Sequence, residues 1–321
     1  MRLPWLRGYD VVDGMNVFGD MDGLASIPGP VVIAAGVFDG MHPGHRAVLQ
    51  CALDAARSVE GTAVALTFDP HPSKILRPEN AARLLTSTRH KLRLMEDFGM
   101  TAVLVIPFDK AFASVEAEDF LRRLSASAPQ LVRICVGKGW RFGHERRGDA
   151  ALLTRMGQEL GFETSEVESV QIDGTTVSST LIRKLVESGD LAGVRRYLGR
   201  NYSVLGTVMP GDGLGRQLGF PTANLAAHNE QFPPDGVYSV RVRTGAADLS
   251  GVANIGTRPT VKTAGERLLE IHLIGFDSDL YGQDLEAEFL RFLRPEKKFP
   301  DVDALRAQIA IDVRSASQPA V

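Results

Sequence analysis

A short apolar run, Val31 to Ala35, breaks directly into Gly36-Val37-Phe38-Asp39-Gly40-Met41-His42-Pro43-Gly44-His45, and an amphipathic run follows. A strand that turns into a helix across a glycine-rich loop points to an α/β layer. The turn also suits phosphate. The first N–H groups of a helix lack internal partners, and the helix dipole places partial positive charge there. His42 and His45 would add imidazole donors, while glycine lets a nucleotide approach the backbone closely. Two histidines three residues apart would, in isolation, be one face of a surface helix. The preceding Phe38-Asp39-Gly40 and the strand–turn–helix frame reverse that preference. Gly36, Phe38 and Gly44 are therefore grouped with the histidines as phosphate-binding residues.

The same grammar continues to about Tyr197. Thr62 to Phe68, Ala102 to Ile106 and Leu131 to Val136 read as buried strands. Helices are expected between them: a face of Leu49, Ala52, Leu53 and Ala56, a second helix over Glu116 to Leu124 capped by Ser114, and a third over Ala150 to Leu160. Strands separated by helices imply a parallel, doubly wound, Rossmann-like sheet, whose ligands bind beyond the carboxyl ends of the strands. After Asn201 helical periodicity nearly vanishes. Short β-rich runs follow at Tyr202 to Met209, Gly236 to Arg243, Gly251 to Ile255, Leu268 to Ile274 and Leu285 to Phe292, a pattern for a small antiparallel barrel or sandwich. Asp301 would cap a last helix through Leu305, Ile309 and Val313. The expected organisation is an N-terminal extension over 1–30 without an evident role, an α/β domain over 31–188, a connecting helix over 189–200 and a β domain over 201–321.

Further constellations fall at the same sheet edge as His42. Pro70 and Pro72 stiffen a loop around His71, a candidate wall for a planar ligand. In Ser178-Ser179-Thr180-Leu181-Ile182-Arg183, one hydroxyl suffices for a helix cap. The remaining donors and the forked Arg183 cation suit a polyphosphate, which makes Ser179, Thr180 and Arg183 site residues. In the second half, Gly211 to Asn224 is neither a Walker A loop nor a Rossmann fingerprint. A bare glycine-rich hairpin is the simpler reading. The alternative is that Gly213, Gly215 and Arg216 wrap phosphate while Thr222 and Asn224 offer hard oxygen ligands to magnesium. Glu270, in an alternating run, would on spacing alone be an idle strand-face carboxylate rather than a general base.

Composition narrows the classes. The 321 residues suit roughly two domains of about 150 each. A net charge of −3 gives no general electrostatic footprint for nucleic acid. The segment Met1 to Asp20 holds no apolar core of signal-peptide length, and no run approaches a membrane span. Cys51 and Cys135 lack metal spacing and read as reduced, buried, structural thiols, so a cytoplasmic setting is expected.

Together these residues resemble the bacterial bifunctional riboflavin kinase/FMN adenylyltransferase family, the prokaryotic FAD synthetases. The likeness runs from about Val31 to Val313. In the first module it rests on G-x-F-D-G-x-H-x-G-H at 36–45, T-F-D-P-H-P at 67–72, R-F-G at 141–143 and S-S-T-x-I-R at 178–183. In the second it rests on G-R-x-L-G-F-P-T-A-N at 215–224, G-V-Y at 236–238, N-I-G-T-R-P-T at 254–260, L-E-I-H at 269–272, D-L-Y-G at 279–282 and L-R-P-E-K-K-F at 293–299.

The resemblance implies phosphorylation of riboflavin to FMN, then adenylyl transfer from ATP to FMN, giving FAD and pyrophosphate. It implies a nucleotidyltransferase domain followed by a small β-barrel kinase domain with a C-terminal helix. ATP phosphates would rest on His42 and His45, pyrophosphate on Ser179, Thr180 and Arg183, and flavin against Pro70, His71 and Pro72. Mg2+ would sit at Thr222 and Asn224, and Glu270 would accept the proton of the riboflavin 5′-hydroxyl. Implied partners are small molecules, with neither nucleic acid nor membrane, and with self-association at most transient. Val37, Gly139-Trp140 and Leu181 depart from the family pattern and bear on adenylyl transfer and flavin positioning. A kinase with a silent first module and a non-catalytic flavin-binding regulator are the competing readings.

Overall fold

All five residues of the strand Val31–Ala35 are buried, as a strand covered on both faces requires. The computed structural model describes residues 14–211, 213–244, 248–257 and 267–318. Its first elements in chain order are β1 (Asn16–Phe18), β2 (Val31–Ala35), α1 (Pro43–Ser58), β3 (Thr62–Asp69), α2 (Pro72–Leu76) and α3 (Thr88–Asp97). Then come β4 (Ala102–Pro107), α4 (Lys110–Ala113), α5 (Ala117–Ser127), β5 (Leu131–Gly137), α6 (Ala150–Leu160), β6 (Glu163–Val167), β7 (Gln171–Ile172) and β8 (Thr175–Thr176). Strands β1 to β6 form one sheet in the order β1-β4-β3-β2-β5-β6, parallel throughout. Side chains of β2 alternate between two cores: Val31, Ile33 and Ala35 join one, Val32 and Ala34 the other. The strand order reverses between β2 and β5. That switch point opens a crevice at the carboxyl end of β2, where the His42 turn begins.

The remaining elements are α7 (Ser179–Ser188), α8 (Leu191–Leu198), β9 (Ser203–Met209), α9 (Leu214–Gln217), β10 (Ala223–Ala227), β11 (Gly236–Arg243), β12 (Asp248–Thr257), β13 (Arg267–Leu273), β14 (Asp284–Arg294) and α10 (Val302–Ala316). Strands β9 to β14 close a barrel in the order β10-β13-β12-β11-β14-β9, antiparallel throughout. Its interior is filled by Val240, Ala253, Ile255, Leu269, Ile271 and Phe289, among others. Backbone contacts divide the chain into two units, one running to Leu84 and over Thr88–Ser179, the other taking Leu85–Ser87 and the chain from Thr180 onward. No helix among the described residues is long and apolar enough to cross a membrane.

Several details differ from the sequence expectation. Ser114 does not cap α5. It ends α4, and Glu116 occupies the N-cap of α5 without a side-chain bond to the helix. The described part of the N-terminal extension has a structural role. β1 pairs with β4, Leu24 and Ile27 enter the core, and the Gln130 amide donates to the carbonyls of Leu24 (2.8 Å) and Ile27 (3.0 Å). Cys51 and Cys135 lie on α1 and β5 as read, but Cys51 is half-buried rather than buried, and their sulfurs approach to 3.2 Å, still as thiols. Asp301 does cap α10, accepting from the Ala304 N–H at 2.8 Å.

One ion pair fastens α10 to the barrel. Arg294, at the end of β14, grips Asp312 through Nε–Oδ2 (3.0 Å) and Nη2–Oδ2 (2.8 Å), and Asp312 is buried. Removing one partner strands the other charge in low dielectric. Asp312→Ala is expected to cost about 3 kcal/mol in denaturant unfolding of the barrel, well above the cost of an exposed pair.

Candidate active sites

In the first unit, β2 runs into a turn that an ordinary sequence would resist. Phe38 (φ 55°) and Met41 (φ 49°) both occupy the left-handed region, and both rings or chains are buried. Gly36 is required because a Cβ there would stand 2.9 Å from the Phe38 ring. The turn ends in His42, the N-cap of α1, with Pro43 at the first helical position. His42 Nδ1 accepts from the His45 N–H at 3.4 Å. In the neutral ring the proton then sits on Nε2, which can donate. The two imidazoles stack at 3.6 Å with 20° between planes, and the Phe38 ring meets His45 edge-on at 5.5 Å. Gly44 lies under the His42 ring. Ser179 joins this cluster, its hydroxyl donating to the Asp39 carbonyl at 2.9 Å. Thr180 follows on the first turn of α7 and Arg183 at the start of the second, within the second unit.

Beside the turn lies a cavity of about 450 Å³ lined by Val37, Phe68, His71, Pro72, Phe112, Trp140 and Phe142, with Arg77, Arg141 and Arg146 among its other walls. Its size and aromatic character suit a flat heteroaromatic ligand. Trp140 and Phe142 stack at 4.4 Å. His71 caps α2, its Nδ1 accepting from the Ser73 N–H at 3.1 Å. Pro70 is not among the lining residues. Sequence reasoning missed Phe68 and Phe112 and treated Trp140 only as a departure. The signal lay in aromatics at strand ends and just after them, converging on one edge.

In the second unit the barrel register does what spacing alone could not. Asn224 of β10 pairs with Glu270 of β13, and Glu270 pairs with Asn254 of β12. The neighbouring row, Leu225–Leu269–Ile255, fills the interior, so Asn224, Glu270 and Asn254 share the outer face. Asn254 donates to Glu296 at 3.1 Å, which brings the L-R-P-E-K-K-F stretch to this row. Arg258, Pro259 and Thr260 lie outside the described residues. A cavity of about 310 Å³ is lined by Arg216, Thr222, Phe276, Asp279 and Tyr281, joining the P-T-A-N and D-L-Y-G stretches. Gly213 (φ 72°) precedes α9, and Gly215 sits inside that single turn, so the expected glycine hairpin is a short helix.

The donor set at Thr222 and Asn224 fits a hard cation. Asn224 is 8% exposed, yet its Oδ1 has no hydrogen-bond partner, and Thr222 supplies a hydroxyl two residues earlier. A Cβ on Gly211 would fall 2.1 Å from the Asn224 amide, so the chain must pass Asn224 here as glycine. Among the described residues no group of three or more His, Cys, Asp or Glu side chains could hold a metal.

Two family models match the chain, one described as FAD synthetase over residues 25–181 and one as riboflavin kinase over residues 198–319. A bifunctional riboflavin kinase/FMN adenylyltransferase of Escherichia coli (strain K12) is 37% identical over 288 residues, covering 89% of this chain and 92% of the relative. One of that name from Haemophilus influenzae is 35% identical over 285 residues, covering 88% and 92%. A crystal structure described as a macrolide-efflux protein from Streptococcus pneumoniae shares the fold at a TM-score of 0.80 and 26% identity, over 95% of this chain and 99% of that one. With both modules matched in order and the curated relatives spanned nearly end to end, the chain belongs to the bifunctional riboflavin kinase/FMN adenylyltransferase family.

Proposed function

We propose that this chain makes FAD in two steps, phosphorylating riboflavin to FMN in the barrel unit and adenylylating FMN in the α/β unit. ATP is co-substrate in both. The observation that carries the first step is the Asn224–Glu270–Asn254 row, which sets a carboxylate one strand from an orphaned amide oxygen. Glu270 takes the proton of the riboflavin 5′-hydroxyl as that oxygen attacks the γ-phosphorus and ADP leaves. Thr222 and Asn224 would hold Mg2+, which when bound neutralises phosphate charge. Arg216 binds nucleotide phosphate from the wall of the 310 Å³ cavity, together with the adjoining turn through Gly213 and Gly215.

The second step is carried by the stacked imidazoles on the capped turn. An oxygen of the FMN phosphate attacks the α-phosphorus of ATP and pyrophosphate leaves, so no general base is needed. His42 and His45, with the Gly36, Phe38 and Gly44 turn, orient the triphosphate and donate to charge that builds on it. Ser179, Thr180 and Arg183 receive the pyrophosphate. The flavin ring enters the aromatic cavity against His71 and Pro72, with Pro70 shaping the loop rather than touching the ring. Trp140→Ala is expected to raise KM for FMN about tenfold, or about 1.4 kcal/mol, and to leave KM for riboflavin unchanged in steady-state assays.

Its partners are small molecules, with no nucleic acid and no membrane, and any self-association is transient. Two thiol cysteines suit work in the cytoplasm. Purified protein given riboflavin, ATP and Mg2+ should produce FMN and then FAD by chromatography. FMN that accumulates without FAD would point to a silent first module, and tight flavin binding without turnover to a regulator.

A further inference from the structure

Beneath the phosphate turn lies a buried cation to which no role has been given. Lys91, the fourth residue of α3, is 4% exposed. Its ammonium donates to the Val37 carbonyl at 3.0 Å and to the Thr67 hydroxyl at 2.9 Å. Thr67 in turn donates to the same Val37 carbonyl at 3.0 Å. Val37 stands between two functional surfaces. Its side chain lines the aromatic cavity, and the next residue, Phe38, begins the left-handed turn that ends in His42. Two carboxylates act on the ammonium, Asp39 from the turn and Asp69 from the end of β3. Asp69 is itself held by the Thr88 hydroxyl at the start of α3, at 2.6 Å.

We infer that Lys91 is a positioning residue for adenylyl transfer: clamped between the Val37 carbonyl and the Thr67 hydroxyl, its ammonium fixes the turn that aims His42 and His45. The inference rests on the reading of that turn as the adenylyl-transfer site. Lys91 is absent from the cavity walls, so it acts through Val37 rather than by touching substrate. Stability does not account for it. Burial lowers the ammonium from its ordinary 10.5 to about 8, even though Asp39 and Asp69 pull the other way. A cation whose charged form is worse off in the fold than in water opposes folding wherever it stays protonated. Between pH 8 and 10.5 the unfolded chain holds more proton than the native one, so the first unit should gain stability as pH rises through that window. A costly charge at the bend of a strained turn is the mark of a group kept for geometry.

The test uses the full chain with Lys91→Met, and the kinase step serves as an internal control. Adenylylation kcat should fall about ten- to a hundredfold, the loss expected of a misaligned but intact site. KM for FMN should stay within about threefold and riboflavin phosphorylation within about twofold, with the adenylylation rate expressed per folded molecule. A folded variant with unchanged kcat overturns the proposal. So does a fall in kcat that disappears when the rate is expressed per folded molecule, which would assign Lys91 to packing. If the variant does not fold, the wild-type pH profile decides: adenylylation should decline with a midpoint near 8 while phosphorylation does not, and a flat profile through that region overturns the proposal. His42→Ala/His45→Ala is assayed alongside. Retained adenylylation there would sink the reading of the turn itself, whereas its loss with Lys91→Met fully active would sink only the role given to Lys91.

Discussion

Glu270→Ala should slow riboflavin phosphorylation by about three orders of magnitude and leave FMN adenylylation near wild type. A hydroxyl is a poor nucleophile until its proton has somewhere to go, and Glu270 is the carboxylate that the register sets beside Asn224. The substitution lies on the outer face of the barrel, with Leu269 and Ile271 still filling the interior, so the fold should tolerate it. Glu270→Gln keeps the shape and removes the base. It should lose nearly as much, which separates proton acceptance from packing. Equal loss of both reactions would contradict two separate sites, and a kinase rate within tenfold of wild type would remove Glu270 from the chemistry.

The converse variant, His42→Ala/His45→Ala, should cut FMN adenylylation by about a thousandfold while phosphorylation continues. The acceptor in this reaction is already a phosphate, so the enzyme contributes alignment and charge stabilisation, and the proposal gives much of both to the stacked rings. His42 also caps α1, and alanine there should cost about 1 kcal/mol of stability. His42→Asn answers this point, since asparagine caps well but has no imidazole. Its adenylylation should stay low after helix stability is restored, and recovery of the rate would mean that capping was the ring's whole contribution. Rates are read from FAD formation with FMN supplied directly.

The sequence showed elements whose signals are local. The apolar run at Val31–Ala35 is β2, Ala150–Leu160 is α6, and Asp301 caps α10. Five strands escaped notice because their signals are weak or hidden, and β7 and β8 are only two residues each. β1 is three residues long, β6 carries the polar sequence Glu-Thr-Ser-Glu-Val, and β10 begins inside a motif whose glycine and proline read as loop. The candidate site followed the same rule. His42 and His45 sit in one turn, so spacing alone placed them together. Glu270 and Asn224 are 46 residues apart by their numbers, and only strand pairing makes them neighbours. Lys91 gave no signal at all, since a lone lysine in a helix is ordinarily solvated, and its burial depends on where α3 packs.

The proposed kinase centre is drawn across three strands of a ring that has no free edge. Gain or loss of one residue inside β10, β12 or β13 would rotate half of that centre to the inside, because alternate residues face opposite ways. Length changes over evolutionary time should therefore collect in the connections between these strands. A relative of this chain with an odd insertion within one of them is expected to have given up making FMN, however well its individual motifs survive.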